Sequence, residues 1–441
     1  MKSYRYVIVG NSVAAVNACE AIREVDREGS VAVFSEERYH CYSRPLISYL
    51  LAGKIRPAAM YYRPRDFYRK LGVDFRRGEK VVSIAPGKKE MATATGERIG
   101  WEKILLATGF RPLVPGVEGL SDAGFFTFVS WDDARRLMGV AKAGKSALVM
   151  GAGLIGMKAA EALHARGVRV TVVERAERIL PAALDDHASE MVAGRCRAQG
   201  LELLTGRSVV SVEPAGKHGG RALLDDGSEV AYDLLVVAVG VRPRVELAEE
   251  AGLGLRDGAV EVDAHQRTSH PGVYAAGDLA AAFDLVRGKP AVNALWPVAA
   301  LQGKFAGWNM AGKTVAFPGG NPMNSVEFFG LPVLSAGVVN PPDGSYRVLA
   351  REDGEGYRKV VVKGDRLVGM LVAGDIEGAG ILTALIREGV SVKGFMTSLA
   401  EPGLDLARLP ARFRKERISV GCRGWGADGD GRTGREVSSA C

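Results

Sequence analysis

The sequence predicts an α/β protein that contains the same βαβ unit twice, followed by a smaller α+β region. Three observations lead to this prediction: an internal duplication, a glycine turn after the first strand of each copy, and an acid after the second strand. The first copy has strand 6–9 before Gly10, and the second has strand 147–150 before Gly151. After each predicted helix, a β-branched strand leads to Glu36 or Glu174.

Later landmarks repeat in the same order. Segment 81–86 returns as 209–214, and segment 104–112 returns as 235–243. The duplication therefore extends beyond the glycine turns and covers most of each unit.

The glycine turns have the spacing of dinucleotide-binding loops. The turn residues are Gly10, Ser12 and Ala15 in the first copy and Gly151, Gly153, Ile155 and Gly156 in the second. In such loops the first position makes the bend, the second lets backbone N–H groups approach a pyrophosphate, and the third packs the helix on its strand. Ser12 and Ala15 are small enough for these roles. Glu36 and Glu174 stand where a carboxylate accepts from ribose hydroxyls. The sequence therefore predicts two Rossmann-like, three-layer dinucleotide-binding domains.

Composition excludes several classes. The chain has 441 residues, of which 47% are hydrophobic and 25% charged, so two or three packed domains are expected rather than collagen, coiled coil or disorder. Its uncharged apolar runs fall short of the roughly 20 residues of a membrane span, which favours a soluble protein. Asn11 and Ser12 interrupt the apolar N-terminal run, which argues against a secretory signal.

The cysteines, the histidines and the net charge lead to further expectations. Five scattered cysteines predict no disulfide framework and favour the cytoplasm, and six histidines without ligand spacing predict no metal site. The net charge is +7, and segment 407–441 has eight basic and four acidic residues. We expect a solvated basic tail and, because no basic module with interleaved aromatics is present, no nucleic-acid partner.

Over about residues 3–400 the chain resembles the FAD-dependent pyridine nucleotide–disulfide oxidoreductases. The resemblance lies in segment 10–36 with the following segment 42–46, in Ala107-Thr108-Gly109, and in segment 268–278, which ends in Gly277-Asp278. It implies that the first unit binds FAD and the second NAD(P)H. The implied FAD residues are Gly10, Ser12, Ala15, Glu36, Arg44, Val82, Ala107, Thr108, Gly109, Gly277, Asp278 and Trp296. The implied NAD(P) residues are Gly151, Gly153, Ile155, Gly156, Glu174 and Gly240.

Two of these residues also make sense on chemical grounds. Asp278 after a small-residue strand can accept from the ribityl hydroxyls, although it would also suit a helix cap before Leu279. Arg44 can pair with pyrophosphate oxygens, although a lone surface arginine would look the same in sequence. Glu174 favours NADH, while the following Arg175 and Arg178 leave NADPH open.

Departures from the family indicate the kind of reaction. Pro45 or Leu46 stands where thiol-dependent relatives carry the redox cysteine, and Cys41 precedes that position, so no catalytic role is expected for it. The segment is instead similar to ferredoxin and rubredoxin reductases, to the flavin module of nitrite reductases and to flavin subunits of multi-subunit oxo-acid oxidoreductases. Lys158 replaces a family glutamate and either lies near the flavin or extends from its helix into solvent. Trp296 either flanks the flavin ring or packs in the core.

The order of these motifs predicts a discontinuous first domain. We expect an FAD domain at 1–112 and 245–322, an NAD(P) domain at 113–244, a C-terminal α+β interface domain at 323–402 and a flexible basic tail at 403–441.

The leading hypothesis is an oxidoreductase that transfers hydride between NAD(P)H and FAD and exchanges electrons with a ferredoxin, a rubredoxin or an iron–sulfur subunit. It would act as a homodimer or as a subunit of a hetero-oligomer. The alternatives are an NADH oxidase, a CoA-disulfide or other thiol-type reductase, and a non-catalytic flavoprotein that responds to NAD(H).

Overall fold

The structure is a computed structural model that describes residues 1–354, 356–401, 403–405 and 409. The predicted tail therefore lies almost wholly outside the described residues. The strands are β1 (Lys2–Val9), β2 (Val31–Ser35), β3 (Val73–Arg77), β4 (Val81–Ala85), β5 (Glu90–Thr93), β6 (Arg98–Leu106), β7 (Phe110–Pro112), β8 (Ser146–Met150), β9 (Arg169–Glu174), β10 (Glu202–Thr205), β11 (Val209–Ala215), β12 (Gly219–Leu224), β13 (Glu229–Tyr232), β14 (Leu234–Val237), β15 (Val241–Pro243), β16 (Leu255–Arg256), β17 (Ala259–Glu261), β18 (Val273–Ala275), β19 (Ala280–Asp284), β20 (Lys289–Val292), β21 (Met323–Phe328), β22 (Leu331–Gly337), β23 (Tyr346–Asp353), β24 (Gly356–Lys363) and β25 (Arg366–Ala373). The α-helices are α1 (Val13–Val25), α2 (Ile47–Leu51), α3 (Phe67–Lys70), α4 (Trp131–Val140), α5 (Leu154–His164), α6 (Asp186–Ala198), α7 (Glu246–Glu250), α8 (Trp296–Met310) and α9 (Ala379–Glu388).

The first unit is built on a parallel sheet with the strand order β3-β2-β1-β6, and β18 pairs with the other side of β6. Val9 is in register with Phe34 and with Leu106, and Leu106 with Ala275. The carboxyl ends of four parallel strands therefore meet at one edge, where Gly10 and Asp278 follow their strands.

The second unit repeats this plan with the order β10-β9-β8-β14. Met150 is in register with Val173 and with Val237, which places Gly151 and Glu174 at the carboxyl edge. The duplicated segments also pair with each other. Strands β7 and β15, which follow the two copies of the repeated strand, form an antiparallel pair in which Arg111 is opposite Arg242.

Helix α8 packs closely on α1, the helix that follows the first glycine turn. A Cβ at Gly303 would lie 2.1 Å from the Ala14 carbonyl oxygen, so only glycine allows this approach. Because α8 begins at Trp296, the contact fixes that side chain relative to the turn.

The third unit is a five-stranded antiparallel sheet with the order β21-β22-β25-β24-β23, and α9 packs on it. Buried Asp185, the N-cap of α6, joins this sheet to the second unit, because its carboxylate accepts from Lys359 Nζ and from the Tyr357 hydroxyl, both at 2.8 Å. Burial alone would raise the pKa of Asp185, but these bonds and the one from the Ala188 N–H hold it below its usual value.

In the part of the chain that the structure describes, no helix combines the length and the apolar character that crossing a membrane requires. The α/β prediction is confirmed, with two parallel-sheet units and a C-terminal α+β unit.

Candidate functional site

A cavity of about 1260 Å³ lies where the carboxyl edges of the two parallel sheets face each other. Both glycine turns line it. The predicted residues on its wall are Gly10, Ser12, Glu36, Arg44, Val82, Ala107, Thr108, Gly109, Gly277, Asp278 and Trp296 from the first unit, and Gly151, Gly153, Ile155, Glu174 and Gly240 from the second. The structure thus brings both predicted sets into one space.

Two backbone positions at the turns accept only glycine. Gly10 has φ +123°, and a Cβ there would lie 2.1 Å from the Ala107 carbonyl oxygen. Gly151 has φ +100° and would place a Cβ 2.5 Å from the Ala238 carbonyl oxygen. These approaches bring each turn against the neighbouring strand end, so that the helix that follows starts at the cavity.

The helix N-termini fit anionic groups. Ser12 caps α1 and Gly153 caps α5, and neither helix start receives a side-chain cap hydrogen bond. A Cβ at Gly153 would meet open space, so the backbone there is accessible from the cavity. Free N–H groups and the positive end of the helix dipole at both starts match the needs of two diphosphates.

Ala15 and Gly156 are not on the cavity wall. A Cβ at Gly156 would lie 1.9 Å from the Gly151 carbonyl oxygen, and Ala15 is fully buried. The structure places these third turn positions in the packing between helix and strand.

Asp278 presents an unsatisfied carboxylate to the cavity. No described residue donates a hydrogen bond to it, and burial raises its pKa to about 6, opposed only by the positive charge of Arg44. The strand β19 rather than a helix follows it, so the helix-cap alternative is wrong. An acceptor without a donor on a cavity wall fits a hydroxyl-bearing chain such as the ribityl group.

Arg44 and Glu36 are held by other cavity residues. Arg44 donates to Glu37 Oε1 at 2.8 Å and to the Val129 carbonyl oxygen at 3.0 Å, so it is not a lone surface arginine. Glu36 accepts from Arg244, whose Nε donates to the Phe110 carbonyl oxygen at 3.1 Å. Sequence reasoning missed Arg244, although it directly follows the repeated segment 235–243.

Glu174 is fixed at the second edge by two backbone bonds. Its Oε2 accepts from the Ala152 N–H at 2.7 Å and its Oε1 from the Ala176 N–H at 2.9 Å. Arg178 is drawn away to Asp186 Oδ1 at 2.8 Å, whereas Arg175 is exposed. A fixed carboxylate and a diverted arginine favour a ribose with a free 2′-hydroxyl, and so NADH over NADPH.

Lys158 lies outside the cavity wall, and neither expectation for it describes its position. Its Nζ donates to Glu161 on the same helix and to the Glu327 carbonyl oxygen at 3.1 Å in β21. The ammonium also lies 5.3 Å from the centroid of the Phe328 ring. Lys158 therefore joins the helix α5 to the third unit, because a carboxylate and a carbonyl there satisfy its charge.

Trp296 lies between the cavity and a neighbouring aromatic ring. It lines the cavity, and its ring meets Tyr62 edge-on with a centroid distance of 5.2 Å.

Thiol and metal chemistry have few candidate groups here. Cys41 is fully buried away from the cavity wall, and burial raises the pKa of its thiol to about 11. Pro45 lines the cavity, and none of the three described cysteines does. Within the described ranges no cluster of three His, Cys, Asp or Glu could hold a metal ion.

Sequence reasoning also missed parts of the wall that carry no motif. Loop residues 180–183 line it next to the second turn, and Asn324 contributes from the third unit. The Asn340 side chain, also from the third unit, donates to the Pro181 and Leu184 carbonyl oxygens at 3.2 and 3.0 Å. The third unit therefore shapes the cavity as well as the outer surface.

Comparison with known proteins agrees with this geometry. A family model described as pyridine nucleotide-disulphide oxidoreductase matches residues 4–303, and one described as the rubredoxin NAD+ reductase C-terminal domain matches residues 322–390. The NADH-dependent phenylglyoxylate dehydrogenase subunit epsilon of Aromatoleum evansii is 32% identical over 421 residues, which cover 95% of this chain and 96% of that protein. The rubredoxin-NAD(+) reductase of Pseudomonas putida is 33% identical over 283 residues, which cover 64% of this chain and 73% of that protein. Among solved structures, an NAD-dependent persulfide reductase from A. fulgidus has a TM-score of 0.84 at 26% identity, covering 94% of this chain and 84% of that one.

Proposed function

The chain belongs to the pyridine nucleotide-disulphide oxidoreductase family and is an FAD-dependent oxidoreductase that uses NAD(H); we propose that it exchanges electrons between NAD(H) and an iron–sulfur protein, as the flavoprotein subunit of a larger oxidoreductase. One observation carries this proposal: a single cavity receives both dinucleotide turns, and no described cysteine lies on its wall. The two cofactors can then react directly, without a thiol relay.

We assign FAD to the unit formed by 1–112 and 245–322, and NAD(H) to the unit 113–244. Asp278 would accept from the ribityl hydroxyls, Arg44 would neutralise the pyrophosphate, and Glu36 would accept from the adenosine ribose, once Arg244 moves off it. When bound, FAD would supply the chemistry that this chain lacks, since a flavin can take up one hydride with its two electrons and release those electrons singly. The residues of the chain would bind and orient the two cofactors and shield them from solvent.

Relatives support a protein partner. The Aromatoleum evansii relative is named as a dehydrogenase subunit and matches over almost its full length, and region 322–390 matches a domain described for rubredoxin reductases. We therefore propose that the third unit, residues 323–402, takes part in assembly. The buried free cysteines Cys19, Cys41 and Cys196 favour the cytoplasm as its location.

Anaerobic stopped-flow mixing with NADH and NADPH tests the first half-reaction. We expect rapid bleaching of the flavin absorbance with NADH and slower bleaching with NADPH. The reduced enzyme is then mixed with ferredoxin, rubredoxin, menadione or oxygen, and an iron–sulfur protein should be the fastest acceptor.

Each alternative has its own outcome. Oxygen as the fastest acceptor would indicate an oxidase, and tight NADH binding without bleaching would indicate a binding protein. Loss of activity in Cys41→Ser, with FAD still bound, would support the thiol-type reductase instead.

A further inference from the structure

A strongly basic surface lies beside the cavity at residues 54–70, which we call the basic segment. It contains one acid, Asp66, and six cations: Lys54, Arg56, Arg63, Arg65, Arg69 and Lys70. All of these cations except Arg63 are exposed. In an ordinary solvated surface, cations alternate with acids, so such an imbalance calls for an explanation.

Only half of the cations are in ion pairs, and two of these share one carboxylate. Asp66 pairs with Lys70 at 3.1 Å and with Arg69 at 3.6 Å, and Arg63 pairs with Glu20 at 2.8 Å. Within the described ranges no carboxylate lies at ion-pair distance from the remaining three, which are Lys54, Arg56 and Arg65. These three charges are exposed to solvent and to any molecule that approaches.

Aromatic rings hold two of these cations at the surface. The Arg65 guanidinium lies 5.3 Å from the centroid of the Tyr61 ring, and the Lys54 ammonium lies 5.9 Å from that of Tyr49. Next to them is a surface depression of about 450 Å³ lined by Ala58, Tyr61, Tyr62, Arg63, Pro64 and Arg65. Arginine and tyrosine are enriched at protein interfaces. Side chains that already hold each other in place lose less conformational entropy on binding.

The basic segment is also one side chain away from the reaction cavity. Tyr62 lines the depression and packs edge-on against Trp296, which lines the cavity. A protein seated on the basic segment would therefore lie near the space assigned to the cofactors.

From this placement we infer that the basic segment is the docking surface for an acidic one-electron carrier protein. The inference rests on the proposed function and names the chemistry of its partner. Uncompensated cations steer a negatively charged protein into an encounter complex, and the rings and the depression orient it. NADH gives up two electrons and is converted to NAD⁺ with release of one proton, so two single-electron partners are reduced in turn for each NADH.

Charge reversal with a matched control tests the inference. The patch variant is Lys54→Glu/Arg56→Glu/Arg65→Glu. The control variant is Lys88→Glu/Lys142→Glu/Lys289→Glu, which changes three exposed lysines elsewhere and alters the net charge equally. A third variant with glutamine at the three patch positions removes charge without reversing it, and FAD content checks the folding of all three.

The assay follows NADH-driven reduction of an acidic rubredoxin at several ionic strengths, and of menadione, an uncharged acceptor. For the patch variant we expect kcat/KM for rubredoxin to fall about tenfold or more at low salt, with a weaker salt dependence than wild type. The kcat/KM of the glutamine variant should lie between those of wild type and the patch variant. That of the control should stay within about twofold of wild type, and menadione reduction should not change in any variant.

The outcomes separate the two proposals. If wild type reduces rubredoxin and the patch and control variants are equal, the docking inference is wrong and the proposed function stands. If wild type reduces menadione with NADH but no iron-centred protein, the proposed function itself fails. Binding of duplex DNA that is lost only in the patch variant, with rubredoxin kinetics equal to the control, would replace the inference by a nucleic-acid surface.

Discussion

Asp278 gives the sharpest test of the site, through the variant Asp278→Asn. Without cofactor, this carboxylate has no hydrogen-bond donor among the described residues, and burial raises its pKa to about 6 against 3.8 for the free side chain. The difference of about two units corresponds to up to about 3 kcal/mol, at 1.36 kcal/mol per unit. This is the cost of keeping the group ionised in the folded apoprotein.

The direction of the pH effect follows from the raised pKa. The cost is fully present above pH 6, shrinks as the folded apoprotein takes up a proton below pH 6, and vanishes below about pH 4, where both folded and unfolded states are protonated. The apoprotein of Asp278→Asn should therefore be more stable than wild-type apoprotein at pH 8, by up to about 3 kcal/mol, and equally stable near pH 4.

Affinity for FAD should change in the opposite sense. Hydroxyl donors favour the ionised carboxylate, so wild-type affinity should be highest above pH 6 and fall as pH drops through 6. Asp278→Asn should bind FAD about 10–100-fold more weakly at pH 8, since hydrogen bonds to charged groups contribute about 1.5–3 kcal/mol, and its affinity should vary little with pH.

Denaturant unfolding of the two apoproteins and FAD titration by flavin fluorescence, both from pH 4 to 8, measure these effects. Parallel stability curves for the two apoproteins across that range would refute the reasoning, because the carboxyl would then not titrate near pH 6. The variant control Asp263→Asn changes a carboxyl away from the cavity wall and should leave FAD affinity unchanged.

Three further predictions address the second and third units. Glu174→Gln should raise the KM for NADH about tenfold and leave that for NADPH nearly unchanged, because the ribose acceptor loses its charge; steady-state kinetics with both nucleotides measure this. Gly156→Ala should abolish saturation by NADH while FAD content is retained, since the new methyl would overlap the Gly151 carbonyl oxygen of the second glycine turn. Equal KM values for NADH in wild type and variant would contradict the packing role. Asp185→Asn should destabilise the protein by about 3 kcal/mol at pH 7, because Lys359 would be left buried without its counterion. The lowered pKa of Asp185 means that this contribution is lost as pH falls below about 4, so wild type and variant should converge in acid unfolding.

Local sequence signals predicted the parts of the fold that are set by neighbouring residues. Each glycine turn lies next to its strand in the chain, so both parallel sheets and their carboxyl edges followed from the duplication. Within the third unit, the sequence also predicts strands at 357–362 and 367–372 and a helix at 379–387. These segments lie within β24, β25 and α9. Apolar alternation and helical spacing are short-range patterns, so they can be recognised in a sequence without knowledge of tertiary contacts.

The remaining features depend on residues far apart in the chain. The position of the Lys158 side chain could not be predicted, because its partner, the Glu327 carbonyl oxygen, is a backbone group of another unit. No pattern of side chains in the sequence indicates such a contact. Asn324 reaches the cavity through the docking of the third unit on the second, where Asn340 donates to the Pro181 carbonyl oxygen of the loop at 180–183. Arg244 was visible beside a repeat, but only the fold brings it to Glu36.

The pairing of β7 with β15 connects the duplication to the reaction. Each strand follows the small-residue turn of its own copy, at Gly109 or Gly240, so their antiparallel pairing turns the carboxyl edges of the two sheets toward each other. Two copies whose carboxyl edges faced away from each other would each retain a dinucleotide turn but would not share a cavity. Hydride transfer requires the reacting atoms to be within about 3.5 Å, so separate sites would bind both cofactors without reaction. The β7–β15 pair is thus one of the contacts that place two nucleotide-binding units around one reaction space.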